Sequence, residues 1–451
     1  MDKGLLGFAG IVSFVAACSS APSSPLVSGP TFHLDIEPIL QARCQSCHVE
    51  GGLAPFPLVT YAEVADKAEL VAIKTAKHEM PPWDAVETAD CKPPLPWRND
   101  ERLSDAQIAI IQAWKDAGKP EGDRSSAKTP PTKDRSLKQV NLELSPAAPF
   151  TASGQRDEFR CFVLDPKLAF GAYIKGMQII PGNAKVVHHA VVIADPNRAA
   201  QTRAAVGQSY ECSGGAMFTS DQYVLDVWTP GIDPIELPQD ISMAVGPNAL
   251  FIMQVHYSPG GPTAAPDTTK VQLELSFTKP AYLLFTTAVG NYPAALPNGD
   301  GLLPGPNDIA GPQFRIPAGV RDHTETMIAT MPSKVPAGAR IYGVMAHEHL
   351  AGTDVKIEHT KANGESTCLL HDRWNFHWQR MYAYDAPIDR LPTLAVGDKI
   401  RVRCTYDNSS QNAPLASELS ARGMTVQDVF LGEQTLNEMC LAIPQVLIPH
   451  P

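Results

Sequence analysis

The 451-residue sequence has no basic patch, and its formal charge of −11 disfavours nucleic acid as a partner. It offers little for membrane spanning: the apolar run at residues 4–15 is shorter than the roughly 20 residues a crossing helix needs. Long helices are disfavoured as well. Proline is plentiful, at 41 residues against 32 glycines, and it breaks helices while tolerating turns and sheet edges. What is present is globular material, 44% hydrophobic and long enough for two to four domains.

Residues 1–18 read as an address rather than structure. Lys3 supplies the positive start, an apolar stretch follows, and Val15-Ala-Ala-Cys18 resembles a bacterial lipobox. The expectation is an exported protein, lipidated at Cys18 and anchored to a bacterial membrane on its periplasmic or outer side by lipid alone. An ordinary secretory signal cleaved nearby is the alternative. Either way, disulfides become permissible. Residues 19–30, rich in Ser and Pro, read as a tether.

Next comes Cys44-Gln-Ser-Cys47-His48 at the end of an apolar, helix-like segment. Two thiols at this spacing can form thioethers with haem vinyls while the adjacent His ligates the iron. A bare Cys-x-x-Cys serves a disulfide or half a zinc site equally well, and the appended His together with export favours one covalent haem c. Met80 in Lys77-His-Glu-Met-Pro-Pro-Trp83 is the expected distal ligand, with His78 as the alternative. Ser104 and Gln107 form a capping box at the start of a helix whose apolar face is Ile108, Ile111 and Trp114, and Gly118 ends it. A cytochrome c-like domain is therefore expected over 31–123, followed by a charged, proline-containing linker over 124–139.

Beyond the linker the texture changes to short β-like runs divided by Pro and Gly, which imply sandwiches. A reset after the Gly/Pro/Asn-rich stretch 291–311 suggests two, over 140–300 and 301–451. The stretch Tyr342-Gly-Val-Met-Ala-His-Glu-His-Leu reads as a strand, so His347 and His349 share a face with Glu348 behind them. His188 and His189 are adjacent, and His256 lies in Gln254-Val-His-Tyr257. Adjacent strand residues face opposite ways, so a metal shared by His188 and His189 demands a local twist or a sheet edge. Met439, in Asn437-Glu-Met-Cys440, offers a thioether. Joined to two imidazoles, soft sulfur favours Cu(I), and no Cys stands where a blue-copper centre needs one. Any single His is ordinarily a surface or core residue, so His33, His323, His359, His371, His377 and His450 carry no site.

Together these residues resemble the copper type II, ascorbate-dependent monooxygenases, the family of peptidylglycine α-hydroxylating monooxygenase and dopamine β-hydroxylase. The motifs fall in family order over about residues 140–445. The resemblance implies a mainly β fold, two tandem jelly-roll sandwiches, here preceded by the small helical cytochrome c domain. It implies two coppers: an electron-supplying ion on His188, His189 and His256, and a catalytic ion on His347, His349 and Met439 that binds oxygen and substrate. It pairs Cys161 with Cys212 and Cys404 with Cys440. Cys91 and Cys368 are left over, either free or joined across domains. The implied partners are O2, a small-molecule substrate, and ascorbate or a periplasmic or extracellular electron donor. The haem would be the point at which electrons enter. The peptide-amidating branch carries an Arg two residues before its His-x-His, and here that position is Met345, so a glycine-extended peptide is not the expected substrate. A non-catalytic haem and copper electron-transfer protein and a copper-binding lipoprotein are the rival readings.

Overall fold

Ser104 starts its helix by accepting from the Gln107 backbone while the Gln107 side chain returns a bond to Ser104. The same box, made by Thr60 and Glu63, starts a helix that the sequence reading did not anticipate. The structure, a computed structural model, describes residues 29–52, 54–127, 135–153, 157–213, 215–257, 266–376 and 378–451. Lys3, Cys18, His377 and most of the expected tether lie outside them. Among the described residues no helix is long and apolar enough to cross a membrane.

A π-helical turn at Phe32–Ile36 runs into α1 (Glu37–Arg43), and α2 (Tyr61–Ala76) and α3 (Asp105–Asp116) complete a small helical unit. Its core is Phe32, Ile36, Leu40, Val64, Ala68, Ile111 and Trp114. Gly118, with a φ of +83°, takes the left-handed conformation that closes α3.

The stretch between α2 and α3 leaves this core. Trp83, Ala85 and Trp97 pack instead into the large β core. Trp97 stacks on Tyr384 at 4.9 Å, Trp83 meets the edge of Tyr382 at 5.2 Å, and backbone bridges join Ala85 to Asp372 and Trp97 to Tyr384. Burying two indoles this way is worth several kcal/mol, since truncating a buried Trp costs about 3–5. A disulfide between Cys91 and Cys368 closes the junction. The end of the expected linker is fastened too. Arg135 pairs with Glu101 of the helical unit and with Asp233, and Leu137 is buried.

The rest is mainly β-sheet. One five-stranded sheet contains Glu158–Leu164, Leu250–Tyr257 and Val187–Asp195 side by side. A second contains His323–Thr330, Lys399–Tyr406 and Gly352–Thr360. Both pack, through alternating apolar residues, against one ten-stranded sheet that runs through the two halves. The halves join where Tyr282–Thr286 pairs in parallel with Ile241–Val245 on one side and antiparallel with Leu441–Pro449 on the other. A shared hydrogen-bonded sheet leaves little freedom for the halves to separate. Leu250–Tyr257 is buried on both faces, because Cys161, Val163, Ile193 and Ile252 form a second, outer core with Cys212 and Ala216. The Cys161–Cys212 disulfide staples that outer layer.

Candidate metal centres

His188 and His189 come to one side through a bulge. Val187 pairs with Tyr257, but the next partner of the facing strand, His256, meets His189, so His188 is the extra residue. A bulge bends the strand and lets two consecutive side chains point the same way, which resolves the conflict of adjacent strand residues. The Nδ1 atoms of His188 and His189 lie 3.2 Å apart, and those of His256 and His189 3.4 Å apart. Among the described residues this trio is the cluster of His, Cys, Asp or Glu whose donor atoms converge as a metal requires.

The surroundings fix the rings. His256 donates Nε2–H to Asp157 Oδ1 at 2.8 Å, which leaves Nδ1 with its lone pair inward. Phe159 stacks on His256 at 4.2 Å. Burial, reinforced by the neighbouring His256 and His188, holds His189 well below the usual histidine range, so its ring is neutral and ready to donate to a cation.

The second group lies at the end of strand Arg340–His347, which stops at His347 rather than running on through His349. The two rings nevertheless converge, with centroids 5.2 Å apart and planes at 89°. His347 donates Nδ1–H to Gln379 Oε1 at 2.9 Å, and His349 donates Nδ1–H to the Asn437 carbonyl at 3.1 Å. Both therefore offer Nε2, the opposite nitrogen from the first group. Burial lowers His347, and burial with His347 beside it pushes His349 down to about 3.

Met439 is buried on the neighbouring strand's approach. His347 pairs with Leu441, two residues past Met439, and His349 bonds the Asn437 carbonyl and the Glu438 carboxylate, so the Met439 segment lies beside His349. Glu438 ties the two segments together by accepting from the backbone N–H of His349 and Ala351, both at 2.7 Å. The Met439 carbonyl accepts from Tyr406, and the Cys404–Cys440 disulfide follows at once. Glu348 is fully buried behind the histidines. Desolvation, with Glu438 nearby, raises it well above the carboxylate range, and burial lifts Glu438 to about 8. Gly352 is glycine because a Cβ there would collide with the Glu348 side chain and Trp374.

A single loop joins the groups. Phe376 stacks on His188 at 5.4 Å and meets His349 edge-on at 6.4 Å, so one ring spans from the first histidine group to the second. Trp374 donates to the His349 carbonyl at 2.9 Å. These residues were missed in the sequence. The dense aromatic run Trp374-Asn-Phe-His-Trp378-Gln-Arg380 was the available signal; Asp157 gave none.

In the helical unit, Cys44 and Cys47 are the free cysteines among the described residues, while the other six described form three disulfides. His48 donates Nδ1–H to the Phe56 carbonyl at 2.9 Å, which leaves Nε2 for a metal. Met80 is 41% exposed on the turn after α2, two residues beyond His78, whose φ is +54°. A cavity of about 480 Å³ lies between the Trp83 segment and the β halves, lined by Arg98, Arg135, Asp226, Tyr342 and Arg380. None of the candidate ligands lines it.

Residues 309–443 match the profile "Copper type II ascorbate-dependent monooxygenase, C-terminal domain". The chain is similar to DBH-like monooxygenase protein 1 of Gallus gallus, 22% identical over 51% of this chain and 36% of that protein. The Homo sapiens protein of that name is 23% identical over 27% of this chain and 20% of its own length. The chain thus spans about a third or less of these relatives. Among solved structures, the major capsid protein P2 of bacteriophage PM2 aligns over 69% of this chain and 98% of its own at 11% identity, with a TM-score of 0.27, too low to assign a fold. The matched stretch carries His347, His349 and Met439, and it supports the copper type II ascorbate-dependent monooxygenase family for this chain.

Proposed function

We propose that this chain is an exported copper-dependent monooxygenase that inserts one atom of O2 into a C–H bond of a small organic substrate. The observation that carries the reading is the pairing of two histidine groups across one loop, one offering three Nδ1 atoms and the other two Nε2 atoms. Five imidazoles and a thioether suit copper, and the donor set fits two ions. His188, His189 and His256 would hold one; His347, His349 and Met439 would hold the other. Copper at these positions would supply one-electron chemistry toward oxygen and its reduction. Asp157, Gln379 and the Asn437 carbonyl keep His256, His347 and His349 in the tautomer that binds, and the Phe376 ring lies against both groups.

Cys44, Cys47 and His48, with Met80 or His78, would hold one haem c as the place where electrons enter. The unpaired state of these two cysteines beside three formed disulfides supports that reading, as does the oriented His48. The disulfides also support export to an oxidising compartment, with Cys18 as the lipid anchor, and ascorbate or a periplasmic donor would supply the electrons. Domain limits at 31–123, 140–300 and 301–451, with jelly-roll topology in the last two, belong to the same proposal. Oxygen uptake by the copper-loaded chain against a panel of small organic molecules, with 18O2 label followed into product, tests the activity. No uptake and no label would leave a non-catalytic electron-transfer protein.

A further inference from the structure

Trp374, Phe376 and Gln379 touch both candidate copper groups. Trp374 and Gln379 bond to His349 and His347, and Phe376 stacks on His188. The far side of the loop meets the helical unit. A Cβ placed on Gly231 would lie 2.7 Å from Trp378 Cη2 and 3.8 Å from Cys47 Sγ, so the benzo edge of Trp378 and the Cys47 sulfur flank the same glycine. Gly231 has a φ of +83°, and both its conformation and its crowding exclude a side chain. Its carbonyl accepts from Arg135 at 3.0 Å and Arg380 at 3.2 Å. The Arg380 guanidinium lies 5.1 Å from the Trp378 ring and 5.4 Å from that of Trp83. These contacts lock the indole in place at the junction.

Resting on the haem reading above, we propose that Trp378 relays electrons from the haem edge at Cys47 to the copper of His347 and His349, ahead of the three-histidine centre. From Trp378 the route to His347 is one peptide bond, the Gln379 side chain and the 2.9 Å hydrogen bond to Nδ1. The route to His188 needs a through-space step across the 5.4 Å stack with Phe376. Bonded and hydrogen-bonded steps couple electronically better than open gaps. The transfer balances simply: ferrous haem loses one electron to become ferric, cupric ion gains it to become cuprous, and no atom or proton changes place.

The test is laser-flash reduction of the haem by a photoexcited flavin in the full, copper-loaded chain under anaerobic conditions, followed at the haem bands. The reduced haem should decay as copper takes the electron. Trp378→Leu should slow that decay severalfold, at unchanged copper content and unchanged cupric paramagnetic resonance signal. Trp378→Phe keeps a ring against Gly231 and Arg380, guards against loss of fold, and should retain most of the rate. His256→Ala should leave the decay, and His347→Ala should abolish it. An unchanged rate in Trp378→Leu overturns the relay alone, as does decay lost in His256→Ala but kept in His347→Ala. A chain whose haem is absent or extracted by acid–acetone overturns the haem reading and the relay with it.

Discussion

Asp157 and His256 are joined by a 2.8 Å bond between Oδ1 and Nε2, and this bond decides which nitrogen faces the first metal group. A carboxylate behind a metal-bound imidazole fixes its tautomer and raises its basicity. Arg422 reaches the same carboxylate at 3.4 Å, so a residue from the second half helps hold a ligand of the first. Asp157→Ala should weaken copper at this centre by roughly 10–100-fold while leaving the other ion in place. Copper titration with elemental analysis reads it: two coppers in the parent chain, one retained at limiting copper in the variant. Equal affinity in both chains would reduce Asp157 to an ion-pair partner.

Met439 is held from both sides, by the Tyr406 bond to its carbonyl and by the disulfide at Cys440, and the two residues before it, Asn437 and Glu438, bond to His349. A thioether among imidazoles favours the reduced ion. Met439→His should harden the site and suppress turnover without unfolding the chain. X-ray absorption of the reduced protein should show a sulfur scatterer that the variant loses. If the parent shows no sulfur, Met439 is packing alone.

Much of this was legible where the signal is local. The Ser104–Gln107 box, the Cys-x-x-Cys-His run and the His-x-His pair are short-range patterns, and the pairings of Cys161 with Cys212 and Cys404 with Cys440 followed from the family resemblance. What stayed hidden depends on partners far away in sequence. The bulge at His188 exists only because Val187–Asp195 pairs with a strand some 60 residues on. Trp83 and Trp97 sit in a stretch whose neighbours in sequence belong to the helical unit, yet they fold into the β core almost 300 residues away. The ten-stranded sheet likewise depends on Tyr282–Thr286 finding partners in both halves.

Asp84 supplies a pH dependence. Burial, only partly countered by Arg373 and Arg380, raises its carboxyl from 3.8 to about 6. Between those values the folded chain holds a proton that the unfolded chain has lost, so stability falls as pH rises through that window and is level above it. A shift of this size corresponds to about 3 kcal/mol at most. Asp84→Asn should remove this part of the slope and gain stability relative to the parent above pH 6. Urea midpoints of both chains at pH 4 and pH 7 give the comparison. A gap between them that does not widen toward pH 7 would show that Asp84 is ionised in the fold.

The Cys91–Cys368 disulfide closes a separation of 277 residues and holds the stretch between α2 and α3 against the second half. Around it, Lys356 bonds Asp90, His371 meets Thr88, and Arg98 donates to Tyr342. The helical unit is therefore seated on the β body, with its position set by packed tryptophans and a covalent bond rather than by the reach of a flexible linker. Closing so long a loop constrains the unfolded chain, and removing such a bond costs on the order of 2–5 kcal/mol. The paired variant Cys91→Ser with Cys368→Ser should lower the unfolding midpoint and expose the 81–102 stretch to limited proteolysis. The copper groups lie on strands and loops the bond does not touch, so copper content should hold. Haem oxidation by copper should slow, because the Cys47–Gly231–Trp378 approach depends on that seating. Proteolysis and haem kinetics both unchanged would mean that Trp83, Trp97 and their aromatic partners hold the unit unaided.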